Sequence, residues 1–344
     1  MRTIPLALIG YGNVGKAFSR LLIHKRERLI KDYDLQFIVT GILTRRHGGA
    51  VNTEGIDQSQ ALARVDTNRP LTQISSIEFF PSSFDFLNAS KAKALIETTP
   101  VNHHTGEPCI SHIKQAIELG MHSVTANKGP VALAYEELRD MAAKAGVHFL
   151  FESAVMDGAP IFSLVRETLP AAEITGFQGI LNSCSNFILG LLDEGMSLED
   201  AIEEGRRIGI TETDPSADLD GWDAAIKIAA LSRVVLGLPL TPDQVAKDPV
   251  SLITPQMLED ARAEGKRWKM VCTARKEFGE LTEASVKAQQ IGPDSPLYSV
   301  NGTSSYIEFH TDVLPALGIT ENNPGPETTA YGMLADLLTI FKDA

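Results

Sequence analysis

The stretch Ile4–Gly15, IPLALIGYGNVG, decides the fold of the first part of this chain. Its apolar run Ile4–Ile9 predicts a strand that is buried on both faces, and a helical pattern follows to about Ile30. Glycines in a strand-to-helix turn let a pyrophosphate approach the backbone closely, and the first amides of the helix can bind it. The turn therefore predicts a dinucleotide site, with a plain strand-to-helix turn as the alternative. Its residues are Gly10, Gly12, Asn13, Val14 and Gly15.

Strands and helices alternate along the next part of the chain. Strands are predicted at residues 35–43, 94–98, 122–125 and 147–152. Helices are predicted at 112–119 and from the segment 126–130 to about 145. The polar stretch 47–72 is interpreted as an excursion on the surface. This alternation implies right-handed crossovers, so we expect a doubly wound parallel sheet of the Rossmann type.

The pattern changes after about residue 152. A strand, a polar turn and a helix are predicted over 172–190, followed by a helix-rich stretch at 198–236. The remaining predicted elements are strands at 266–274, 284–289 and 306–310, and a last helix at 327–341. Together they predict an α+β domain with a mixed open sheet and helices on one face.

These patterns predict two domains. We expect a dinucleotide-binding domain over residues 1–152, completed by the segment from about 312 to 344. A substrate-binding, catalytic and dimerisation domain is expected over 153–311. A chain of 344 residues is long enough for both.

Composition limits the partners. The formal net charge of −13 argues against a nucleic acid or an anionic membrane, because both need clustered Lys and Arg. No apolar stretch reaches the roughly 20 residues that span a bilayer. The three cysteines are widely spaced and no cleavable leader pattern is present, which favours the reducing cytoplasm.

The end of the second predicted strand indicates which dinucleotide is bound. An acidic residue usually stands there for the ribose 2′-hydroxyl of NAD, whereas this chain has Thr44, Arg45 and Arg46. Guanidinium groups suit a 2′-phosphate, so we expect NADP to be preferred over NAD. The alternative is two surface arginines that merely end a strand.

The segment TANKGP, residues 125–130, begins at the carboxyl end of a predicted parallel strand. Open α/β sheets bind their ligands at this end. Asn127 and Lys128 are therefore candidates for the nicotinamide crevice, with a catalytic role for Lys128. A solvated loop lysine is the alternative.

A second candidate lysine lies in the acid-rich block GITETDPSADLDGWDAAIK. Asp223 and Lys227 are four residues apart and share one face of a predicted helix, among small or apolar neighbours. Glu212, Asp214 and Asp218 precede them, and this density of acids suits a polar substrate that carries an amine. The alternative is an exposed ion pair in an ordinary acidic loop.

The turn FESAVMDGAP, residues 151–160, is a third candidate. A glycine-containing turn with a glutamate could bind a hard cation through carbonyl oxygens. It could equally be a hinge between the domains.

Taken together, these motifs resemble those of the homoserine dehydrogenases. The resemblance covers nearly the whole chain, and its most specific part is the pattern DPxxDLxGxDxxxK. It also includes IGYGNVG, ETTP, TGEP, TANKGPVA, ESAVMDGAPI, GILNSCSNFIL and NNPGPETTAYGMLAD. It implies NAD(P)-dependent interconversion of L-homoserine and L-aspartate 4-semialdehyde, on the route to threonine, methionine and isoleucine.

The resemblance also implies roles for individual residues. Catalysis would rest on Lys227, Lys128 and Asp223, and substrate binding on Glu212, Asp218, Asn182 and Ser183. Further cofactor contacts would come from Thr98, Thr99, Pro100, Gly325, Glu327 and Thr328. A structural sodium ion would be held by backbone groups around Glu152, Val155, Asp157 and Ala159. The final helix would close over the nicotinamide, and a homodimer would form through the sheet of the second domain.

The chain departs from the family pattern at two places. It has Ser183 and Cys184 where Gly-Thr is usual, and Gly205 in place of an alanine. The first change lies near the expected substrate pocket, so another hydroxy-amino acid stays open as substrate. The kinase and regulatory domains of some relatives are not expected, nor is threonine feedback through such a domain.

Two further alternatives remain. The turn around Cys184 resembles that of semialdehyde dehydrogenases, which carry a nucleophilic cysteine, although no histidine lies in an obvious partner motif. A dinucleotide sensor without catalysis is the non-enzymatic alternative.

Overall fold

The computed structural model describes residues 1–77, 79–211 and 214–342. The chain divides into two compact units: unit 1 is Met1–Pro160 with Gly325–Ala344, and unit 2 is Ile161–Pro324. Both boundaries lie further along the chain than the predicted ones at 152 and about 312. The turn after residue 152 hydrogen-bonds to the C-terminal helix inside unit 1, and residues 317–321 pair in the sheet of unit 2.

Unit 1 is an α/β unit, a β-sheet with helices packed on it. Its strands are β1 (Arg2–Ile9), β2 (Leu35–Thr44), β3 (Gly48–Val51), β4 (Ala94–Glu97), β5 (His122–Thr125) and β6 (Phe149–Leu150). Its helices are α1 (Asn13–Tyr33), α2 (Gln58–Asp66), α3 (Ser83–Ser90), α4 (Cys109–Glu118), α5 (Lys128–Ala145) and, after unit 2, the C-terminal α11 (Pro326–Phe341). Shorter helical turns lie at Leu71–Ile74 and Glu152–Ala154.

Among the described residues of unit 1, six strands lie in the order β3-β2-β1-β4-β5-β6. Every neighbouring pair is parallel except β2 and β3, which confirms the predicted Rossmann-type class. The interpretation of 47–72 as a surface excursion is wrong for β3. The Thr44 hydroxyl accepts from the His47 amide (2.8 Å) and donates to the Gly48 carbonyl (3.1 Å). This tight turn reverses the chain too soon for a parallel crossover.

Helices α1 and α11 pack together against the sheet of unit 1. The two helices and strand β1 share one buried apolar cluster. It contains Phe18 and Leu22 of α1, Met333 and Leu337 of α11, and Leu8 of β1. Burying one large apolar side chain stabilises a fold by about 1.5–3 kcal/mol. The C-terminal helix is therefore an integral part of the core of unit 1.

The turn after β6 is bound to α11 by polar contacts. The Ser153 hydroxyl donates to the Thr329 carbonyl (2.7 Å), and the Glu152 amide donates to the Asp336 carboxylate (2.9 Å). Gly332 faces this turn so closely that a Cβ there would collide with the Ser153 hydroxyl. The predicted strand at 147–152 is accordingly shorter, because its end forms this turn.

Unit 2 contains a second sheet with its own helices. Its strands are β7 (Ile174–Ile180), β8 (Ala246–Lys247), β9 (Arg267–Glu277), β10 (Glu280–Ile291), β11 (Ser305–Thr311) and β12 (Leu317–Glu321). Its helices are α6 (Ser183–Asp193), α7 (Leu198–Arg207), α8 (Ser216–Leu219), α9 (Trp222–Leu231) and α10 (Pro255–Ala263). Shorter helical turns lie at Leu164–Thr168, Ser232–Leu236, Pro242–Gln244, Val250–Leu252 and Pro296–Ser299.

In the described part of unit 2 the strands lie in the order β12-β11-β7-β9-β10-β8. The pair β8 and β10 is parallel and the others are antiparallel, so the predicted mixed sheet is confirmed. The sequence missed α10 and β12. α10 buries only Leu258 and Ala261 of its own residues, and β12 is a half-exposed edge strand, so neither has a strong apolar pattern.

No helix within the described residues is both long enough and apolar enough to cross a bilayer.

The contact at Gly332 generates a test of the α11 packing. Gly332→Ala should destabilise the protein by about 1–3 kcal/mol, because the added methyl also lies 2.9 Å from the Asp157 carbonyl oxygen. Gly190→Ala is the matched control, since nothing lies within 4 Å of its Cβ position in helix α6. Differential scanning calorimetry should show a lower Tm for the first variant and an equal or higher Tm for the second.

Candidate functional site

The glycine turn after β1 brings two pieces of backbone into contact. Gly10 has a φ of +94°, which favours glycine, and a Cβ there would lie 2.6 Å from the carbonyl carbon of Thr98. The Thr98 hydroxyl donates to the Gly10 carbonyl (3.1 Å). A Cβ on Gly15 would lie 2.8 Å from that same Gly10 oxygen. Gly10 and Gly15 are therefore required by the turn itself.

Gly12, in contrast, has open space in front of it and immediately precedes helix α1. In the described structure no side chain caps the first amides of this helix. Asn13 and Val14 therefore present their backbone N–H groups at an exposed helix N-terminus, which is an anion-binding arrangement. These residues fit the pyrophosphate of a dinucleotide.

Arg45 and Arg46 lie on the exposed turn between β2 and β3. The shape of this turn is set by the two hydrogen bonds of Thr44 described above. Both guanidinium groups are thus at the carboxyl end of β2, where a Rossmann-type sheet places the adenosine ribose.

The ends of β4 and β5 lie side by side. The Asn127 side chain donates to the carbonyls of Thr99 (3.1 Å) and Pro100 (3.4 Å), and it accepts from the Gly129 amide (2.9 Å). This cap starts helix α5 at Lys128, which is half-buried. The structure therefore brings the predicted residues after β4 together with Asn127 and Lys128.

The predicted sodium turn and the start of α11 also meet within unit 1. Glu152, Val155 and Ala159 are buried, and Asp157 has a φ of +39° and accepts from the Thr329 hydroxyl. A Cβ on the neighbouring Gly158 would lie 2.5 Å from the Thr328 carbonyl oxygen. At the start of α11, the Gly325 amide donates to the Thr328 hydroxyl (2.8 Å), and Glu327 is exposed.

In unit 2 one amide holds two carboxylates together. Asn182 is buried at the N-cap of α6, where its side-chain oxygen accepts from the Ser185 amide (2.7 Å). Its NH2 group donates to Asp218 (2.7 Å) and to Asp223 (2.9 Å). Because the two carboxylates bind the same NH2 group, their negative charges are concentrated at one point.

Lys227 lies beside this pair of carboxylates. Its Nζ donates to the Leu181 carbonyl (2.6 Å) and is 3.7 Å from Asp223. Both side chains of the Lys227–Asp223 pair are only 13% exposed, so the alternative of an exposed surface pair is wrong. Lysine, carboxylates and amide form a polar site that can bind an amine and exchange a proton.

Some members of the predicted acidic block are not part of this cluster. Asp214 is exposed and accepts from the Ser216 amide (3.0 Å), so it stabilises its own turn. Glu212, predicted to bind substrate, lies outside the described residues. Ser183 is within 3.3 Å of the Ser305 hydroxyl.

Cys184 does not have the environment of a nucleophile. Its side chain is buried, 3.4 Å from the Thr211 hydroxyl. Burial raises the pKa of the Cys184 thiol to about 12, with Asp218 adding to the shift. The reactive species of a cysteine is the thiolate, so this site disfavours the semialdehyde dehydrogenase alternative.

Sequence reasoning missed a buried lysine in unit 2. Lys269 of β9 donates to the side-chain Oδ1 of Asn186 (3.0 Å) and to the backbone carbonyl of Val300 (2.5 Å). Burial lowers the pKa of Lys269 to about 8, with a smaller contribution from Arg267. Its sequence signal is a charged residue directly before the apolar run MVC within a predicted strand.

The fold and these residues together define a class. A Rossmann-type unit with a glycine turn, joined to a unit that places a lysine among carboxylates, is the organisation of two-domain dinucleotide-dependent dehydrogenases.

Comparison with known proteins identifies the family. The family model "Homoserine dehydrogenase" matches residues 160–338. The homoserine dehydrogenase of Methanocaldococcus jannaschii is 34% identical over 98% of this chain and 98% of its own length. The NAD(+)-dependent homoserine dehydrogenase of Pseudomonas canavaninivorans is 30% identical over 100% of this chain and 98% of its own.

Solved structures agree with this. A hyperthermophilic archaeal homoserine dehydrogenase in complex with NADPH matches with a TM-score of 0.83 and 27% identity, over 100% of this chain and 99% of that one. The enzyme from Thiobacillus denitrificans matches with a TM-score of 0.82 and 28% identity, over 99% of this chain and 74% of that one. The chain belongs to the homoserine dehydrogenase family.

The environment of Lys269 predicts a pH-dependent stability. In the folded protein the pKa is about 8, against 10.5 as the ordinary value, so the unfolded chain holds more protons between these values. The contribution of Lys269 to the free energy of unfolding should therefore rise as the pH rises from 8 towards 10. Urea unfolding at pH 7 and pH 9.5 should show wild type gaining about 2 kcal/mol relative to Lys269→Met. The control Lys266→Met, at a lysine whose side chain is 41% exposed, should keep the wild-type slope. Equal slopes for all three proteins would contradict the prediction.

Proposed function

We propose that this protein catalyses the NAD(P)-dependent interconversion of L-homoserine and L-aspartate 4-semialdehyde. The observation that carries the proposal is the half-buried cluster in unit 2, where Lys227 lies beside two carboxylates joined by Asn182. An amino-acid substrate offers an ammonium group to carboxylates and a hydroxyl or aldehyde oxygen to a lysine. Membership of the homoserine dehydrogenase family supports the same substrate.

Lys227 is assigned as the group that moves the proton. During oxidation the substrate hydroxyl loses a proton while its carbon loses a hydride, and a neutral amine can accept that proton. In the reverse direction the ammonium polarises the aldehyde oxygen and returns the proton. The Leu181 carbonyl and Asp223 hold the Nζ atom in place.

The carboxylates are assigned to the substrate ammonium. Asp218 and Asp223 share the NH2 group of Asn182, which holds the two carboxylates in a fixed orientation. Glu212 is assigned to the same role on the family resemblance alone. Ser183 lies at the first turn of α6 beside Asn182, which supports its assignment to the substrate pocket.

The dinucleotide is assigned to the glycine turn and the strand ends of unit 1. The turn from Gly10 to Gly15 would bind the pyrophosphate. The nicotinamide would lie near the ends of β4 and β5, at Thr98, Thr99, Pro100, Asn127 and Lys128. The nicotinamide, when bound, accepts or supplies the hydride. Lys128 is assigned as the second catalytic lysine, and Gly325, Glu327 and Thr328 are assigned to the closing segment.

NADP is proposed as the preferred dinucleotide. Two exposed arginines at the carboxyl end of β2 support it, because a guanidinium binds phosphate with two parallel hydrogen bonds. The relatives include an NAD(+)-dependent enzyme and one in complex with NADPH, so both forms occur in the family.

A structural sodium ion is proposed for the turn 152–159. Within the described residues no group of three His, Cys, Asp or Glu side chains is arranged for a metal, which disfavours a transition metal. A hard cation prefers oxygen donors. The turn offers the carbonyl oxygens of Val155 and Ala159 and the oxygens of Glu152 and Asp157. The ion would stabilise the turn that α11 packs against and take no part in the chemistry.

A homodimer in the cytoplasm is also proposed. Helix α9 packs on one face of the unit 2 sheet, at Cys272. Gln178 and Glu308 lie on the opposite face, where they hydrogen-bond to each other (3.0 Å). The second face is the family's expected dimer surface. All three cysteines are free and buried, which supports a reducing compartment.

Replacing Lys227 tests the central assignment. Lys227→Ala should lower kcat for homoserine oxidation by at least about 100-fold, the lower limit of general-base catalysis. The dissociation constant for NADPH, measured by nicotinamide fluorescence, should stay within about threefold, since the cofactor is assigned to unit 1. Lys266→Ala is the control and should behave like wild type, because this half-exposed lysine of unit 2 is paired with Glu264 and is not part of the cluster. An unchanged kcat in Lys227→Ala would refute the assignment.

Replacing the two arginines tests the cofactor preference. Arg45→Ser with Arg46→Ser should lower kcat/KM for NADP by about 10- to 100-fold, because charge-assisted phosphate contacts of about 1.5–3 kcal/mol are lost. The value for NAD should change little. Arg28→Ser, an exposed arginine of α1, is the matched control. An equal loss for both dinucleotides would show that the arginines do not read the 2′-phosphate.

A further inference from the structure

Glu97, the last residue of β4, is fully buried and has no part in the assignments above. Its Oε1 accepts from the amide (3.3 Å) and the hydroxyl of Thr99. Its Oε2 accepts from the Cys109 thiol (2.7 Å) and the Thr125 hydroxyl (3.3 Å). The Nδ1 atom of His112 lies 3.4 Å from Oε1. A single buried carboxyl group thus joins four neighbouring residues.

The fold places these groups together. Glu97 and Thr125 are paired across the parallel strands β4 and β5, at the last position of each. Helix α4 begins at Cys109, and His112 follows three residues later, so both lie on the same face of the helix. That face is directed at the end of β4, where the carboxyl group lies.

Glu97 also closes a ring of hydrogen bonds with the residues assigned to the nicotinamide side. The Thr125 hydroxyl accepts from the Asn127 amide (3.0 Å), and the Asn127 side chain donates to the Thr99 carbonyl (3.1 Å). Thr99 and Thr125 in turn both donate to Glu97. The carboxyl group therefore holds the turn after β4 and the start of α5 at a set separation, and Lys128 is the next residue along the chain.

We propose that Glu97 is a positioning residue that sets the geometry of Lys128 and of the turn at residues 98–100. It acts through Thr99, Thr125 and Asn127 and touches neither substrate nor cofactor itself. A carboxyl group is required because donors face both of its oxygens. A glutamine would place its NH2 group on one of two sides. On one side it faces the Thr99 amide, which cannot accept; on the other it faces the Cys109 thiol and the Thr125 hydroxyl, which would have to give up their hydrogen bonds to this side chain.

The activity test rests on the proposed function and compares Glu97→Gln with Glu118→Gln, an exposed glutamate at the end of α4. Glu97→Gln should lower kcat about 10- to 100-fold, the cost of displacing reacting groups by about 1 Å. Rates are expressed per bound NADPH, so that unfolded protein does not count. KM for homoserine should stay within about threefold, because Asp218 and Asp223, the carboxylates assigned to bind the substrate, lie in unit 2. A kcat equal to that of Glu118→Gln would overturn the proposal.

A second pair of variants guards against a Glu97 variant that does not fold. Thr125→Val keeps the shape of the side chain and removes the hydroxyl, whereas Thr125→Ser keeps the hydroxyl. The valine variant should lose kcat in the same direction as Glu97→Gln, and the serine variant should retain it. Equal rates for the two variants would mean that the ring does not position Lys128.

Hydrogen–deuterium exchange without any ligand separates this proposal from the proposed function. In Glu97→Gln the Thr99 amide should exchange at least about tenfold faster, because the carboxyl group that it donates to is replaced. In Thr125→Val the Asn127 amide should do the same, because its hydroxyl acceptor is lost. Amides of β1 should be unchanged. If the wild-type protein does not oxidise homoserine, the proposed function fails, and exchange alone decides the positioning role. Unchanged exchange at Thr99 and Asn127 overturns it.

Discussion

The close contact between the backbones of Gly10 and Thr98 is the constraint on which unit 1 depends. A side chain at Gly10 would lie 2.6 Å from Thr98, so the ends of β1 and β4 can approach only because this residue is glycine. That approach brings the glycine turn next to the residues that follow β4. Glu97, the residue before Thr98, ends the same strand β4. Its ring of hydrogen bonds includes Asn127, which directly precedes Lys128 in the chain.

Unit 2 meets a different requirement, which is to hold two negative charges together in a half-buried site. Asp218 and Asp223 would repel each other, and the repulsion is stronger where solvent is excluded. The Asn182 amide donates one hydrogen bond to each and accepts none from them, so it joins them without neutralising either. Lys227 is fixed beside Asp223 by its hydrogen bond to the Leu181 carbonyl.

Patterns that depend on neighbours in sequence were predicted well. The buried strands of unit 1 read as continuous apolar runs, and their alternation with helices gave the Rossmann-type class. Elements without such a pattern were missed: β3 forms because the Thr44 turn reverses the chain, and β12 adds to an existing edge of the second sheet. The i, i+4 spacing placed Lys227 beside Asp223 correctly, because both lie on one helix.

The sequence by itself determined the fold class, the glycine turn, the family and the Asp223–Lys227 pair. These are local features, encoded by spacing along a strand, a turn or a helix. Only the tertiary structure decided that Asn182 joins two carboxylates, that Lys269 is buried against carbonyl oxygens, and that Glu97 unites two strand ends with α4. The physical reason is that each of these groups finds its partners on other elements. Burial then decides which polar groups must be paired, and no local pattern records which distant residue supplies the partner.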